Sequence, residues 1–169
     1  TILGGGGTQG GGVNIDGGSS PTLDHVVIAA NVVSGNGGGI AILSGGATMS
    51  NMTIGYNSAG GSGGAVYAAI SASVSLENSI LYGNGNTEIG SFGNVSTTYS
   101  IVSGGEAGEG NLDADPLFVN GPALDFSLTW DSFAIDAGDP EDVTDEDGTI
   151  LDMGAFPYDQ TLQPPDAVT

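Results

Sequence analysis

The fold is decided by the stretch Pro21-Thr-Leu-Asp-His-Val-Val-Ile-Ala-Ala-Asn31, because the chain repeats its pattern twice. The second copy is Ala47-Thr-Met-Ser-Asn-Met-Thr-Ile-Gly-Tyr-Asn57, and the third is Val74-Ser-Leu-Glu-Asn-Ser-Ile-Leu-Tyr-Gly-Asn84. The leucine or methionine at the third position of each copy recurs after 26 and then 27 residues. A repeat of this length, rich in glycine, indicates a stack of similar coils.

Each repeat also contains a glycine cluster followed by an aliphatic residue: Gly10-Gly-Gly-Val13, Gly37-Gly-Gly-Ile40 and Gly63-Gly-Ala-Val66. Glycine supplies tight turns, and the alternation of branched and small polar residues between the clusters is typical of short β-strands. A sustained apolar period of 3.6 residues, which a helix would need, is missing from the sequence. We therefore predict an all-β fold, a right-handed parallel β-helix of about four coils of ~26 residues followed by a C-terminal cap.

Equivalent positions of successive coils are expected to lie about 4.8 Å apart, one above the other. Two columns then form aliphatic stacks in the interior, namely Leu23, Met49 and Leu76, and Ile28, Ile54 and Leu81. A third column, Asn31, Asn57 and Asn84, is predicted to form a ladder of side-chain amide hydrogen bonds at a turn.

The repeats end near Gly105, where the composition changes. Residues 1–105 hold four acidic residues and residues 106–169 hold sixteen. We predict coils over 1–105, an acidic cap with a calcium loop over 106–159, and a Pro-containing tail or linker over 160–169. Ile2 lies 26 residues before Ile28, and Ser100-Ile101-Val102 matches Ser79-Ile80-Leu81 at an offset of 21, which predicts a shortened last coil.

The charge excludes several classes of function. Twenty acidic residues and no Lys or Arg give a net charge of −20, which repels phosphate backbones. Nucleic-acid binding is therefore excluded. No run approaches the roughly 20 apolar residues of a membrane span, so membrane insertion is not expected. With no Cys, the sequence contains neither a disulfide framework nor a thiolate metal site.

The repeats resemble those of right-handed parallel β-helix surface proteins of the pectate-lyase-like superfamily, in the style of polymorphic outer-membrane-protein repeats. Gly63-Gly-Ala-Val66 and Ile54-Gly-Tyr-Asn57 carry that likeness. The second half resembles the closing segment of secreted bacterial β-helix proteins. The motifs that carry this second likeness, in chain order, are Asn111-Leu-Asp-Ala-Asp-Pro-Leu-Phe118, Asp125-Phe-Ser-Leu128, Phe133-Ala-Ile-Asp-Ala-Gly-Asp-Pro140, Asp145-Glu-Asp-Gly-Thr149 and Asp152-Met-Gly-Ala-Phe156. The resemblance implies export and cell-surface or extracellular residence, with no particular activity.

The acidic loop is the best candidate site in the sequence. Five aspartates fall within 17 residues: Asp136, Asp139, Asp145, Asp147 and Asp152. Carboxylates at alternate positions before a glycine, as in Asp145-Glu-Asp147-Gly148, supply the hard oxygen ligands that Ca²⁺ requires. The loop therefore predicts a calcium site, although a solvated turn whose aspartates bond their own backbone would have the same composition.

The sequence supports an enzymatic function less well than a calcium site, and we predict that the chain is not an enzyme. Lyases of the superfamily use a basic residue to take the proton, and this chain has one His and no Lys or Arg. Glycosidases need only carboxylates. Asp24 and Glu77 occupy equivalent positions with Ser50 between them, so the two acids are expected to lie two strand spacings, or about 9.6 Å, apart. A chance alignment explains that pair more simply, and His25 is expected to be structural.

We expect a structural role, as an exported β-solenoid segment of a stalk, an adhesin or a head-to-tail filament. The coil that begins at Thr1 has no Lys, Pro or covering element to protect its strand edges. Such a coil predicts either another subunit, giving a homo-oligomer or filament, or a longer parent chain. The alternative is a carbohydrate-binding or carbohydrate-active module with a glycan as partner. The aromatic residues of the second half are expected to form the core of the cap: Phe126, Trp130, Phe133, Phe156 and Tyr158.

Overall fold

The chain winds into a parallel β-solenoid of about three turns, in a computed structural model that describes residues 1–85 and 87–162. The predicted all-β fold is confirmed, and the predicted four coils are approximately right. The right hand of the winding stays a prediction. Most of the predicted tail, residues 163–169, lies outside the described residues, as does Asn86.

Four parallel sheets run along the stack, and each of the first three coils contributes one strand to each sheet in turn, whereas the shortened fourth coil contributes none to sheet 2. Sheet 1 contains β1 (Ile2–Leu3), β5 (Val27–Ala29), β9 (Thr53–Gly55), β13 (Ile80–Tyr82) and β16 (Ile101–Val102). Sheet 2 contains β2 (Gly6–Gly7), β6 (Val32–Val33) and β10 (Ser58–Ala59). Sheet 3 contains β3 (Val13–Ile15), β7 (Ile40–Ile42), β11 (Val66–Ala68) and β14 (Ile89–Ser91). Sheet 4 contains β4 (Thr22–Asp24), β8 (Gly45–Ser50), β12 (Ala72–Glu77) and β15 (Asn94–Thr98).

The strand register follows the sequence repeat. Ile28 pairs with Ile2 on one side and with Ile54 on the other, which confirms the column read from the sequence. Ile80 pairs with Ile101, so the last coil is shortened to the predicted offset of 21. The buried aliphatic side chains of these columns form one continuous core along the axis of the stack.

Corners between the sheets are formed by residues with positive φ. His25, Asn51 and Asn78 all adopt φ near +50° at the corner between sheets 4 and 1. Gly37 and Gly63 both have φ of 70° at the entrance to sheet 3, where a Cβ would lie less than 3 Å from a backbone oxygen. These two sets of equivalent positions, His25 with Asn51 and Asn78 and Gly37 with Gly63, therefore form left-handed turns that repeat from coil to coil.

The predicted asparagine ladder is confirmed. The Nδ2 of Asn31 donates to the Oδ1 of Asn57 at 2.9 Å, and the Nδ2 of Asn57 donates to the Oδ1 of Asn84 at 2.8 Å. The backbone N–H of each donor residue bonds to the same oxygen. The ladder ends at Glu88, whose carboxylate accepts from both the N–H and the Nδ2 of Asn84.

The acidic second half packs mainly against the side of the solenoid. Only a short piece covers the end of sheet 1, where the N–H of Leu112 donates to the carbonyl of Ser100 and the N–H of Val102 donates to that of Leu112. The rest contains β17 (Phe118–Asn120), a 3-10 helix (Gly121–Ala123), β18 (Asp125–Leu128) and a 3-10 helix (Gln160–Leu162). We call residues 115–158 the strap. It crosses the outer face of sheet 1, where the sequence led us to expect a cap over the end of the stack.

Two smaller cores join the strap to sheet 1. In one, Leu128, Ala134 and Met153 of the strap pack with Ile80 and Ile101. In the other, Phe126 and Ala155 pack with Val27 and Ala29. Sheet 1 is therefore buried on both faces, because the strap covers the face that does not look into the solenoid. Among the five aromatic residues expected in a cap core, Phe126 is buried. The expectation is wrong for Trp130, Phe133 and Phe156, which are 68%, 64% and 45% exposed.

Candidate functional site

The acidic loop of the strap is pinned to the solenoid by backbone hydrogen bonds. The N–H of Gly154 donates to the carbonyl of Asn78, and the N–H of Ala155 donates to Oγ1 of Thr53 at 2.9 Å. Within the loop, the N–H of Gly138 donates to the carbonyl of Leu151. These contacts hold the aspartates of the loop against the corner between sheets 4 and 1.

Asp152 is a structural carboxylate within this loop. It is buried, and its two oxygens accept hydrogen bonds from the backbone N–H groups of Asp136 and Tyr158 at 2.8 and 2.5 Å. Burial raises the pKa of Asp152, and these two hydrogen bonds partly oppose that rise. The carboxylate ties two segments of the strap together.

Asp145 and Asp147 form a close pair of carboxyl groups. Asp147 accepts from Oγ1 of Thr149 at 2.7 Å and from the N–H of Gln160 at 2.9 Å. Its pKa is lowered, first by the Asp145 carboxyl and then by Thr149. Burial, followed by the neighbouring Asp147, raises the pKa of Asp145 to about 6. The interaction between the two carboxyl groups therefore raises the pKa of Asp145 and lowers the pKa of Asp147.

Asp139 lies beside a different group of acids. Its N–H donates to Oδ1 of Asn78 at 2.8 Å, and its carboxylate accepts from the N–H of Glu141. Burial raises the pKa of Glu77, and the neighbouring Asp139 and Asp142 raise it further. The five aspartates predicted as one calcium site are thus divided: Asp136, Asp145, Asp147 and Asp152 interact with one another, and Asp139 faces Glu77.

A cavity of about 440 Å³ lies between the acidic loop and the corner between sheets 4 and 1. The solenoid contributes His25 and Asn51 to its wall, and the strap contributes Asp145, Leu151 and Asp152. Asn51 is 8% exposed, yet its Oδ1 has no hydrogen-bond partner. The cavity is therefore the place where the solenoid and the strap both present polar groups.

Asp24 is held close to this cavity by three donors. Its Oδ1 accepts from Nδ2 of Asn51 at 2.9 Å and from Oγ of Ser50 at 3.0 Å, and Nδ1 of His25 lies 2.9 Å away. Burial acts to raise the pKa of Asp24, but the hydrogen bonds from Asn51, His25 and Ser50 outweigh it and lower the pKa. His25 is a partner of Asp24 at a left-handed corner, and its structural role stays a prediction.

The pairing register puts Asp24, Ser50 and Glu77 in one column, as the sequence predicted. Asp24 is engaged by the three donors around it, and Glu77 contacts Asp139 and Thr98. The two acids therefore belong to separate hydrogen-bond groups. Whether the column supports glycosidase chemistry stays a prediction.

Sequence reasoning missed Glu88 and the exposed aromatic residues. Glu88 is 6% exposed, and burial raises its pKa to about 7 against the three hydrogen bonds that it receives from Asn84 and Gly83. A signal existed, since Glu88 comes four residues after the last ladder Asn, where the coil becomes shorter. The sequence contained no comparable indication that Trp130 and Phe133 are exposed, because their exposure depends on how the strap packs against sheet 1.

Across residues 1–85 and 87–162, no group of three or more His, Cys, Asp or Glu side chains is arranged to hold a metal ion. A metal held by fewer acids would need amide, backbone or water oxygens to complete its shell. No helix in the described part of the chain is long and apolar enough to span a membrane. Comparison with protein-family models, with curated proteins and with solved structures gives no match.

Proposed function

We propose that this chain is a structural β-solenoid segment of an exported, cell-surface or extracellular protein, built to continue a stack of coils. The observation that carries the proposal is the first rung, formed by β1, β2, β3 and β4. Within residues 1–85 and 87–162, each of these strands pairs on one side only, with the strand of the next coil. The outer edge of each strand in this first coil carries the same kind of backbone N–H and C=O groups that hydrogen-bond one coil to the next elsewhere in the stack.

The chemistry of the first rung suits the addition of a further coil. Ile2, Val13 and Leu23 are half-buried and pack against the continuous core. Residues 1–15, which hold β1, β2 and β3, contain no Asp or Glu, and the rest of the rung adds two acids, Asp16 and Asp24, although the chain as a whole carries a net charge of −20. A neighbouring coil would therefore meet apolar interior columns and free backbone groups with little charge repulsion. In a stalk, an adhesin or a head-to-tail filament, such a coil would be the partner of this rung.

Membership among the secreted β-helix surface proteins of the pectate-lyase-like superfamily belongs to this proposal. Support comes from the parallel solenoid and from the ordered motifs of the second half. Those motifs lie at contacts between the strap and sheet 1: Phe118 packs on Tyr82, and Gly154 bonds to Asn78. Adhesion and secretion are the roles that such a surface protein would have.

Sedimentation velocity of the purified chain over a wide range of concentration, with negative-stain microscopy, tests the stacking role. We expect reversible end-to-end association that Val13→Lys abolishes, because Val13 points into the interior column and a charge there blunts the edge. Asn14→Lys is the matched control, since Asn14 lies on the same strand and is exposed. A chain that neither associates by itself nor joins a second solenoid fragment would contradict the proposal.

A second candidate function, carbohydrate binding, is supported by Trp130 and Phe133. Large aromatic side chains are usually buried, and exposed ones suit stacking against apolar faces of ligands. We expect saturable binding to a glycan array that Trp130→Ala removes and Phe92→Ala retains, since Phe92 is equally exposed but lies at a corner of the solenoid. Turnover of a polysaccharide that is lost in Glu77→Gln would instead favour a carbohydrate-active enzyme.

A further inference from the structure

The side-chain hydroxyl of Thr149 lies between a carboxylate and a side-chain amide near the end of the strap. Its Oγ1 donates a hydrogen bond to Oδ1 of Asp147 at 2.7 Å. The Nε2 of Gln160 donates to the same Oγ1 at 3.3 Å. Because the hydroxyl proton points to Asp147, a lone pair of Oγ1 faces the amide of Gln160. A hydroxyl nucleophile, a base and an acyl group are therefore in contact.

The carboxylate of Asp147 also fixes the backbone of both partners. Its Oδ1 accepts from the N–H of Thr149 at 3.1 Å, and its Oδ2 accepts from the N–H of Gln160 at 2.9 Å. The carbonyl of Thr149 accepts from the N–H of Asp145, which closes the turn on the other side. Thr149 and Gln160 are half-buried, which limits the access of water to their contact. The two reacting side chains are therefore positioned by one shared residue.

Two other threonines of the described residues each make one of these contacts. Oγ1 of Thr129 donates to Oδ1 of Asp131 at 2.8 Å, two residues away, as Thr149 does to Asp147. Oγ1 of Thr97 accepts from Nδ2 of Asn111 at 3.1 Å, as Thr149 does from Gln160. Thr149 combines a carboxylate and an amide at one hydroxyl, which is the combination that acyl transfer requires.

The amide carbon of Gln160 is within easy reach of the hydroxyl. Whichever of the two amide atoms faces Oγ1 of Thr149, Cδ is bonded directly to it, so attack needs a rotation of the Gln160 side chain and no movement of the backbone. A threonine hydroxyl is a weak nucleophile until an adjacent base takes its proton. Asp147 is at hydrogen-bond distance from that proton and can act as the base.

We propose that Thr149 and Gln160 react with each other to form an intramolecular ester cross-link. Oγ1 of Thr149 forms a bond to Cδ of Gln160, and the bond between Cδ and Nε2 breaks. Asp147 takes the hydroxyl proton and passes it to the departing nitrogen, which leaves as ammonia. The reaction consumes no other molecule, and Asp147 returns to its starting state.

The ester would hold the end of the strap on the solenoid. It closes a covalent loop over residues 149–160, and Gly154 and Ala155, which bond to Asn78 and Thr53 of the solenoid, lie within that loop. The chain has no Cys for a disulfide and no Lys for an isopeptide bond. An ester is a covalent cross-link that its composition still permits. The cross-link does not depend on the stacking role proposed above.

Mass spectrometry of the purified, folded chain tests the cross-link directly. We expect an intact mass lower than that of the sequence by one ammonia molecule, and a peptic digest that yields residues 149 and 160 in one cross-linked species. Neutral hydroxylamine should open the link, because it cleaves esters and leaves ordinary amides intact. A chain of the full sequence mass would overturn the proposal, and that outcome requires no variant.

Three valine variants identify the source of the ammonia. Thr149→Val removes the hydroxyl with little change of shape, so this variant should keep the full sequence mass. Thr97→Val and Thr129→Val are the matched controls, and both should lose ammonia as the parent chain does. A loss that persists in Thr149→Val would place the reaction elsewhere, for example at an Asn-Gly bond, and would overturn the ester.

The role of the carboxylate is tested by the rate at which the freshly purified chain loses ammonia. Asp147→Asn should slow the loss by about a hundredfold or more, because the amide cannot take the hydroxyl proton. Asp131→Asn, which changes the matching contact of Thr129, should leave the rate unchanged. Equal rates in the two variants would remove Asp147 from the reaction. The valine series decides the proposal if Asp147→Asn fails to fold.

Discussion

Sheets 1 and 4 are built from the same repeat but meet different surroundings, and their sequences differ accordingly. β12 of sheet 4 reads Ala-Ser-Val-Ser-Leu-Glu and alternates between buried and exposed residues, because only one of its faces looks into the core. β5 of sheet 1 reads Val-Ile-Ala and is buried at every position, because the strap covers its outer face. A strand that is apolar on both faces therefore marks the sheet against which the second half of the chain packs.

The largest difference in stability between variants of the two sheets is expected when a charge is placed on the outer face of each sheet. Ile80→Asp puts a carboxylate under the strap, where it is buried without a cation, and we expect it to destabilise the fold by about 4 kcal/mol or more. Ser75→Asp makes the matched change on the exposed face of sheet 4 and should alter stability by about 0.5 kcal/mol or less. Urea denaturation followed by circular dichroism measures both. Similar losses would mean that the strap does not bury sheet 1.

Truncating aromatic residues tests the same contrast with a smaller effect. Phe126 packs against Gly55 and the rings of Tyr56 and Phe118, so Phe126→Ala should cost about 3–4 kcal/mol of unfolding free energy. Phe92→Ala removes an exposed ring next to sheet 4 and should cost about 1 kcal/mol or less. Chemical denaturation of the two variants side by side provides the measurement. A Phe92→Ala variant as unstable as Phe126→Ala would be inconsistent with the packing described.

The asparagine ladder that follows sheet 1 should contribute next. Asn57→Ala leaves the N–H and Nδ2 donors of Asn31 without their acceptor and removes the donor to the carbonyl of Ile28. We expect a loss of about 3 kcal/mol, because these groups are buried. Asn94→Ala, at the exposed start of β15 in sheet 4, is the control and should be nearly neutral. Thermal denaturation measures both variants, and equal melting temperatures for Asn57→Ala and Asn94→Ala would refute a ladder of this strength.

The smallest expected effect is a dependence of stability on pH at the end of the ladder. The pKa of Glu88 is about 7 in the folded chain against an ordinary value of 4.5. Between these values the folded state holds a proton that the unfolded state has released. Stability should therefore fall as the pH rises through this window, by about 2 kcal/mol in total.

Glu88→Gln isolates that contribution. The amide cannot ionise, so we expect the variant to lose this part of the fall in stability between pH 4.5 and 7 and to be more stable than the parent chain near neutral pH. Glu77→Gln on sheet 4 is the comparison, and it should change the pH profile less because Glu77 is only half-buried. Urea midpoints across the pH range would argue against the assignment if Glu88→Gln kept the slope of the parent chain.

The sequence repeat predicted the contacts that join equivalent positions of successive coils. The columns of Ile28 and Asn31 follow from the spacing, because each coil repeats the environment of the previous one. Contacts outside the repeat could not be predicted in this way. The strap lies over sheet 1 because Val27, Ala29 and Ile80 are apolar on its outer face, and that signal was present in the run Val26-Val-Ile-Ala-Ala30.

The candidate site was predicted only in part. The cluster of aspartates identified the loop, but the sequence could not show which oxygens the backbone would occupy. Asp152 is used by the N–H groups of Asp136 and Tyr158, and the contribution of Asn51 arises from a corner of the solenoid 94 residues before Asp145. A site shared between a repeat and a segment outside it is specified by tertiary contact, which spacing along the chain does not report.

The shortened last coil has a consequence for how such a chain can change. The offset between partner residues is 27 at Asn57 and Asn84, falls to 23 at Val66 and Ile89, and falls again to 21 at Ser73 and Asn94. Six residues have therefore been removed near sheet 2 and at the corner between sheets 3 and 4, while the strands on either side remain paired. Deletions and insertions at these corners are absorbed within the plane of one coil and leave the axial spacing intact. New loops, and with them new surface properties, can be added at these corners without rebuilding the stack.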